Sequence, residues 1–462
     1  MEPFFTNDAV VLGLLLILLA LIFHTSSSEN EGFKKFYRVV PALLLCYFLP
    51  ALLHWPLNLI GSHWYDNGLI EFLANQDMQL PREGMSFDEI KKWLGSLNVQ
   101  GVKQFERHSQ LYFVASRYLL PASLVLLCLG IDFKGIVNLG WRSIVMFLAA
   151  TLGIVIGGPI ALLVVNTIFP DLIAASNDDL WRGLSTVAGS WIGGGANQTA
   201  MKEIFEVKDD LFATMIIVDV VVANMWMGFL LYGANMSDKI DGWLGADSSS
   251  IEALKKKVED YRANIGVKET TTTLFKVLGV AFGGVALAHW GSDVITPWLE
   301  NNYKATLDAA RLNSLMSKFF WLIVIATTVG LVLSATNLRK LEGAGASRYG
   351  SVFIYILVAT IGMKMNLGEV WANLGLFAIG ITWMLVHVII LLIVAKLIKA
   401  PFFFVAVGSQ ANVGGAASAP VVASAFSSTL APVGVLMAVL GYALGTYGAI
   451  ICALLMQGVS GG

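Results

Sequence analysis

Charged residues are scarce in this chain of 462 residues, since lysine, arginine, aspartate and glutamate make up only 13% of it. An ordinary globular protein carries about 25%. Hydrophobic residues account for 56%, and the mean hydropathy is +0.70. The formal net charge is -2 and no basic block exceeds Lys255-Lys256-Lys257, so nothing in the composition suggests nucleic acid as a partner. The composition predicts a multi-pass membrane protein surrounded by lipid.

Cysteine is also rare, and Cys46, Cys128 and Cys452 all lie in apolar segments. Cysteines in such places cannot build a disulfide framework or a zinc site. His-Glu-x-x-His is missing, the glycine runs lack the Lys-Ser/Thr ending of a phosphate-binding loop, and neither Ser190 nor Ser409 lies in Gly-x-Ser-x-Gly. We therefore expect no soluble-enzyme chemistry and no resident cofactor.

Ten apolar runs are long enough to cross about 30 Å of hydrocarbon. They lie near residues 9–23, 39–59, 112–130, 143–168, 211–233, 273–292, 318–336, 349–363, 371–397 and 432–456. The residues before the first run are acidic where a secretory signal would be basic, so this run is expected to be retained as a span. The pattern predicts an all-α membrane protein with five spans in each of two halves.

A glycine-rich stretch lies between the fourth and fifth apolar run of each half. Residues 189–200 and 405–416 share the pattern Gly-x-x-Ala-Asn, which ends at Asn197 and Asn412. Each glycine weakens a helix by roughly 1 kcal/mol, and backbone that leaves the helix at membrane depth survives only where protein or a water-filled cavity satisfies it. Paired interruptions are typical of a transporter's binding site. Close helix packing through small residues is the alternative, but packing does not call for the polar side chains in these turns.

The predicted organisation is an inverted repeat. If both glycine stretches are re-entrant hairpins, most lysines and arginines of the short loops fall on one side, which is then cytoplasmic. Both termini are then extracytoplasmic, and the second half is inserted upside down. The predicted domains are residues 1–233 as the first repeat, with an extracytoplasmic insertion at 60–110, residues 234–272 as a cytoplasmic linker, and residues 273–462 as the second repeat.

The insertion contains a predicted amphipathic helix. Ser86-Phe87-Asp88-Glu89 has the form of a capping box, which opens a helix at its N-terminus. Helical spacing places Ile90, Trp93, Leu94 and Leu97 on one face. This helix is expected to lie on the membrane surface or to cover the outer face of the protein.

Asp219 lies inside the fifth apolar run. A charged side chain at membrane depth costs at least roughly 2.5–3.5 kcal/mol, so such residues usually face a cavity and have a function. Asp219 is the leading candidate for a cation or proton ligand. The alternative is a carboxyl group that is hydrogen-bonded to a neighbouring helix for structure alone. His387 is interpreted as a hydrogen-bonded packing histidine, with proton relay as the alternative. Trp191 and Trp226 are interpreted as interfacial or packing aromatics, with a substrate platform as the alternative.

Polar side chains in and near the glycine stretches supply the oxygen ligands that sodium prefers, because broken helices also expose carbonyl groups. The predicted sodium ligands are Asp219, Asn197, Thr199, Asn412 and Ser409. Helix N-termini beside the glycines can hold an anionic group through free N–H donors. The predicted substrate-binding residues are Gly193, Gly194, Gly195, Asn197, Gln198, Ser409, Gln410, Asn412 and Gly414. An organic anion or amino-acid-like metabolite driven by sodium fits both features.

The two stretches carry a family resemblance. Gly-Gly-Gly-Ala-Asn-Gln-Thr-Ala at 193–200 and Gly-Ser-Gln-Ala-Asn-Val-Gly-Gly at 408–415 resemble the YjcL-like family of integral membrane proteins, known chiefly as a domain of unknown function. The architecture is also similar to that of the sodium-coupled glutamate and citrate symporters, whose inverted halves each carry a re-entrant hairpin. This second resemblance implies an elevator motion in a homodimer. It lies at the level of fold, so it brings no substrate specificity.

These observations predict a secondary active transporter for a small organic solute in the bacterial inner membrane. Sodium is the expected coupling ion, and the proton is the alternative. A passive channel, in which the same motifs line a static pore, and a membrane-embedded enzyme or sensor are the other function classes that the sequence leaves open.

Overall fold

The computed structural model describes residues 2–460 apart from 41, 77, 83, 84, 86, 98, 100, 132–136, 138, 169–175, 247–269, 310–312, 365–374, 428 and 429. The chain forms two compact units. The first comprises Met1–Arg117 and Tyr355–Gly368, and the second comprises Tyr118–Ile354 and Glu369–Gly462. These units are defined by compactness, whereas the predicted repeats are defined by how the chain crosses the membrane. The repeat boundaries at 233 and 273 therefore stay a prediction.

The early part of the chain contains short helices and one small sheet. The helices are α1 (Asp8–Ser26), α2 (Glu31–Val39), α3 (Ala42–His54), α4 (Gly68–Ala74) and α5 (Phe87–Ser96). Strands β1 (His63–Tyr65) and β2 (Glu106–His108) pair antiparallel, with His63 opposite His108. A 3-10 turn at Val102–Phe105 precedes β2. Helix α1 begins after Asn7, whose side chain accepts a hydrogen bond from the Ala9 N–H.

Helix α5 is the amphipathic helix predicted in the insertion. Ile90 and Leu94 are buried, and they pack with Tyr65 of β1. Leu97 lies one residue beyond α5, which ends at Ser96, and is 41% exposed. Ser86 of the predicted capping box lies outside the described residues.

The rest of the chain is helical. Its helices are α6 (Leu111–Leu129), α7 (Trp141–Ile168), α8 (Asn177–Gly193), α9 (Gly195–Ile204), α10 (Asp209–Ala234), α11 (Ser237–Leu244), α12 (Thr271–Ala309), α13 (Lys318–Ser334), α14 (Ala346–Gly362), α15 (Gly375–Ile398), α16 (Phe402–Val413), α17 (Gly415–Phe426) and α18 (Ala431–Val459). Helix α6 contains a π-helical turn at Ala115–Leu119. Two 3-10 segments, Asn313–Met316 and Asn337–Ala344, flank α13.

The described ranges contain seven helices long and apolar enough to cross a membrane: α1, α6, α7, α10, α12, α15 and residues Val433–Val459 of α18. An eighth is reached if α13 and the 3-10 segment after it, bent by 98°, are taken as one span. The remaining predicted runs, near 39–59 and 349–363, fall on α3 and α14, with 13 and 17 residues. The protein is therefore an all-helical multi-pass membrane protein, as predicted, and the total of ten spans stays a prediction.

Small residues let the central helices of the second unit approach one another. A Cβ atom added at Gly157 of α7 would lie 2.7 Å from the ring of Trp383 on α15, and one added at Gly153 would lie 3.2 Å from the Cα atom of His387. Because lipid is as apolar as the packed side chains, close van der Waals contact of this kind is what drives helices together inside a membrane. This packing brings His387 against the backbone of α7.

Candidate functional site

The first glycine stretch forms a helical hairpin. Helix α8 ends at Gly193 and α9 begins at Gly195, and Gly194 between them has φ of +75°, a region that residues with a side chain rarely adopt. The arms are antiparallel, because the Arg182 Nη1 group near the start of α8 donates to the Phe205 carbonyl directly after α9, at 2.8 Å. Gly194 is therefore the tip of this hairpin, which we call hairpin 1 (residues 177–204).

The second glycine stretch forms hairpin 2 (residues 402–426). Helix α16 ends at Val413 and α17 begins at Gly415, whose φ is +59°. Its arms are antiparallel as well, since the rings of Phe403 and Phe426 lie 5.4 Å apart at the open end. A Cβ atom at Gly414 would overlap the ends of the Gln410 and Ser418 side chains, so both would have to move to accommodate it.

The predicted equivalence of Asn197 and Asn412 is wrong in register. Asn197 follows the break and lies on the second arm of hairpin 1, whereas Asn412 precedes the break and lies on the first arm of hairpin 2. Gly408, which the sequence alignment paired with a glycine beside the first break, lies inside α16, where a Cβ atom would be 3.2 Å from the backbone of Met146. Gly408 serves helix packing, and a shared glycine pattern therefore led to the wrong alignment.

The two asparagines nevertheless make similar hydrogen bonds. Each Nδ2 group donates at 3.0 Å to the carbonyl four residues earlier in the chain. Each Oδ1 atom accepts from a threonine on another helix: Asn197 from Thr446 of α18 at 2.6 Å, and Asn412 from Thr151 of α7 at 2.8 Å. Both amides are fully buried. They tie each hairpin to a long helix.

Asp219 on α10 holds the two arms of hairpin 1. Its Oδ2 atom accepts from Ser190 Oγ at 2.6 Å and from Gln198 Nε2 at 3.0 Å, and its Oδ1 atom accepts from Trp191 Nε1 at 2.7 Å. Ser190 and Trp191 belong to α8 and Gln198 belongs to α9, while Asp219 is only 7% exposed. These contacts fit the structural alternative for Asp219, and the role of cation ligand stays a prediction. The hydrogen bond from Trp191 had no signal in the sequence.

Ser409 of hairpin 2 is the centre of a second buried chain of hydrogen bonds. The Trp226 Nε1 group donates to Ser409 Oγ at 2.8 Å, and His387 Nε2 lies 2.8 Å from the same oxygen. His387 Nδ1 lies 3.1 Å from the Ala150 carbonyl, which can only accept. Nδ1 therefore carries the proton of neutral His387, and the Ser409 hydroxyl donates to Nε2. Helices α7, α10 and α15 all meet hairpin 2 through this chain.

The tips of both hairpins lie against α18 at Gly441. A Cβ atom at this position would be 2.6 Å from the Ile192 carbonyl oxygen of hairpin 1 and 3.6 Å from the Ala411 carbonyl oxygen of hairpin 2. One turn further along α18, a Cβ atom at Gly445 would be 2.6 Å from the Cα atom of Gly193. Neither position is among the residues predicted from the sequence, although two glycines four residues apart on an apolar helix indicate close packing.

The remaining predicted residues lie close to the two breaks. Thr199 Oγ1 donates to the Gly195 carbonyl at 2.8 Å, so it bonds within its own helix. Gln410 Nε2 donates across the tip of hairpin 2 to Ser418 Oγ at 2.7 Å. Gln410 Oε1 is buried and has no hydrogen-bond partner among the residues that the structure describes. The structure thus brings every predicted site residue to one of the hairpins or, for Asp219, into contact with one.

A multi-pass helical bundle with two glycine-broken hairpins and buried polar networks defines the class of this protein as a polytopic membrane protein. Residues 92–459 match the family described as "Protein of unknown function (DUF819)", and the chain belongs to this family. The chain is also 23% identical over 346 residues, covering 73% of this chain and 82% of the relative, to "Uncharacterized membrane protein YjcL" of Bacillus subtilis (strain 168). The resemblance to a YjcL-like membrane family is confirmed.

Proposed function

We propose that this protein is an ion-coupled secondary active transporter. It moves a small organic solute, an organic anion or an amino-acid-like metabolite, and sodium is the coupling ion. The observation that carries the proposal is the meeting of two glycine-broken hairpin tips, at Gly194 and Gly414, against Gly441 of one long helix. Broken helices at matching places in two halves are the arrangement that transporters use for substrate and ion sites.

The lengths of the hairpin arms support re-entrant insertion. Helix α8 has 17 residues and α9 has 10, which correspond to about 26 Å and 15 Å. Both arms of hairpin 2 have 12 residues, or about 18 Å. Each arm is shorter than the roughly 30 Å of a hydrocarbon core. Hairpins that enter from opposite sides then meet at their tips near the midplane, as the inverted repeat requires.

The buried networks support a mechanism of alternating access. Asp219 connects hairpin 1 to α10, and Ser409 connects hairpin 2 to α15. Both connections are buried hydrogen bonds. A buried polar group that loses one hydrogen-bond partner must find another. A hairpin held by such a network therefore changes between a few defined positions instead of moving continuously. We propose an elevator-type motion in a homodimer, in the inner membrane of a bacterium, with no enzymatic reaction and no resident cofactor.

Uptake by the purified protein in liposomes tests this function. A thermal-shift screen of amino acids and small carboxylates, with and without sodium chloride, selects the solutes to be assayed. We expect saturable uptake that stops when the sodium gradient is collapsed with an ionophore. Uptake that follows only a proton gradient would change the coupling ion. Flux that neither saturates nor depends on any gradient would replace the transporter by a channel, and turnover of the solute in detergent would replace it by an enzyme.

A further inference from the structure

Gln410 places a buried amide directly over the break in hairpin 2. The residue is 2% exposed and lies in the last turn of α16. Its Nε2 group is fixed by Ser418 Oγ of α17, at 2.7 Å. Gly414 leaves the space that this cross-tip contact occupies. The amide group therefore lies between both arms of the hairpin, with its amino group toward Ser418.

The orientation leaves the Oε1 atom without a hydrogen-bond donor among the described residues. Leaving a buried acceptor unpaired costs free energy, so such an oxygen in a native protein calls for an explanation. An acceptor oxygen can be satisfied only by a hydrogen-bond donor or by a cation. The group that completes this site must be one of these two.

The surroundings favour a cation. Helix α16 ends at Val413, and the Gly414 N–H bonds the Gln410 carbonyl at 2.9 Å. The later carbonyl groups of the last turn have no further N–H group in the helix to bond. The same end carries the negative partial charge of the helix dipole. An amide oxygen beside carbonyl oxygens is an all-oxygen set, which is the kind of ligand that a hard cation prefers.

Apart from Thr199, whose hydroxyl donates within its own helix, the other predicted sodium ligands already accept hydrogen bonds. Asn197 Oδ1 and Asn412 Oδ1 each accept a hydrogen bond from a threonine. Asp219 accepts three hydrogen bonds, two of them at one oxygen. Ser409 Oγ lies between Trp226 and His387. A cation at any of these oxygens competes with an existing contact, whereas at Gln410 Oε1 it meets an unused one.

We infer that a sodium ion binds at the tip of hairpin 2, with Gln410 Oε1 as a ligand and the main-chain carbonyl groups at the end of α16 beside it. The inference deepens the proposed function and rests on it for the role of the ion. Both ligands belong to α16, and the Gln410 amide also bonds Ser418 of α17. An ion on its oxygen therefore fixes the amide that makes the contact between the two arms.

The test measures sodium binding by the purified full-length protein in detergent. The melting temperature is followed as sodium chloride replaces choline chloride at constant ionic strength, and the apparent affinity is read from the increment. Gln410→Met removes the oxygen at similar length, and Gln410→Glu keeps an oxygen and adds charge. We expect Gln410→Met to weaken the apparent sodium affinity by about tenfold or more, and Gln410→Glu to retain the sodium increment. Gln104→Met, at an exposed glutamine of the first unit, is the matched control and should behave as wild type.

Each variant is compared with and without sodium, so a change in its basal stability does not affect the result. An equal sodium increment in Gln410→Met and wild type overturns the site while leaving sodium-coupled uptake intact. If ammonium chloride raises the melting temperature of wild type as much as sodium does, the oxygen serves a hydrogen-bond donor instead of a metal ion, and the assignment is also overturned. The proposed function is contradicted by a separate result, which is the absence of gradient-driven uptake by the wild-type protein in liposomes.

Discussion

At the scale of single residues, Asp219 shows how a carboxylate is kept inside an apolar bundle. Three donors surround it, and all three come from hairpin 1. Hydrogen bonds to an ionised group are worth about 1.5–3 kcal/mol each, which offsets much of the cost of removing the charge from water. The Asp219 side chain therefore attaches the tip of hairpin 1 to α10 through hydrogen bonds, independently of any role as an ion ligand.

Asp219→Asn should destabilise the protein by about 1–3 kcal/mol. An asparagine side chain has one acceptor oxygen, so its amino group must face either Trp191 Nε1 or Gln198 Nε2, and both of these are donors. The measurement is thermal or denaturant unfolding in detergent, with Asp308→Asn on the exposed surface of α12 as the control. If Asp219→Asn has wild-type stability and an unchanged sodium dependence of uptake, the carboxylate neither stabilises hairpin 1 nor binds the coupling ion.

Ser409→Ala should also cost about 1–3 kcal/mol. The substitution leaves Trp226 Nε1 without this acceptor and His387 Nε2 without this donor, and His387 is buried while Trp226 is partly buried. Ser424→Ala is a matched control in the same hairpin, because its exposed hydroxyl bonds only the Pro420 carbonyl, and we expect a change below about 0.5 kcal/mol. Equal melting temperatures for the two variants would contradict a chain through Ser409.

At the scale of helices and hairpins, contacts with α18 decide where the tips lie. Gly441 and Gly445 allow the backbone of hairpin 1 to approach α18 more closely than a side chain would permit, and Gly441 also faces the Ala411 carbonyl of hairpin 2. Hairpin 2 is further anchored at its open end, because the Phe402 N–H at the start of α16 donates to Asp241 Oδ1 of α11 at 2.6 Å. A hairpin held at its base and its tip can move only with the helices that hold it.

Gly441→Ala should impair folding or uptake. The added methyl group would lie 2.6 Å from the Ile192 carbonyl oxygen, and overpacking of this kind typically costs about 1–3 kcal/mol. At Gly283 of α12 an added methyl group has nothing within 4 Å, so Gly283→Ala should be neutral or stabilising by up to about 1 kcal/mol. The comparison uses melting temperature and uptake rate. If both alanine variants behave as wild type, the tips do not lie against α18.

The base of hairpin 1 should respond to acid. Lys208 donates a hydrogen bond to Asp179 at 2.8 Å and holds the pKa of this carboxyl below its ordinary value. The ionised, paired form therefore stabilises the fold above the unfolded pKa of about 3.9, and this contribution is lost as the pH falls through the lowered folded pKa. Lys208 is largely exposed, so the contribution should be only about 0.2–1 kcal/mol.

The measurement for Asp179 is the difference in melting temperature between wild type and Asp179→Asn as the pH is lowered from neutral. We expect the difference to shrink as the carboxyl of the wild type becomes protonated. Lys208→Gln removes the same ion pair from the other side and should show the same pH dependence as Asp179→Asn. A difference that stays constant down to the lowest pH at which the protein remains folded would contradict the assignment.

At the scale of the whole molecule, the mechanism depends on how the chain crosses the membrane. Single cysteines in a background without Cys46, Cys128 and Cys452 report the side of each loop. We expect labelling near Ser28 only after permeabilisation, and labelling near Asn177 and Gly462 in intact cells. Asn177 is the first residue of hairpin 1, whereas Ala246 belongs to the proposed cytoplasmic linker. Labelling of Asn177 and Ala246 from the same side would exclude the inverted repeat.

Sequence alone was sufficient for the class of the protein and for the two places where its helices break. Apolar length and scarce charge are local properties, so they identify spans such as α7 and α15 without knowledge of their neighbours. Glycine weakens a helix wherever it stands, so the breaks at Gly194 and Gly414 both fall within the predicted stretches.

Tertiary structure alone decided which groups meet. A glycine can mark a break, as Gly414 does, or a close approach, as Gly408 does, and only the partner helix distinguishes the two. The partners of Asp219 lie 21 to 29 residues away, and the threonine bonded to Asn197 lies 249 residues away. Packing between helices far apart in sequence sets these contacts, and no local pattern encodes them. For the same reason, only the folded chain shows that the side-chain oxygens of Asn197 and Asn412 accept hydrogen bonds, whereas that of Gln410 has no donor among the described residues.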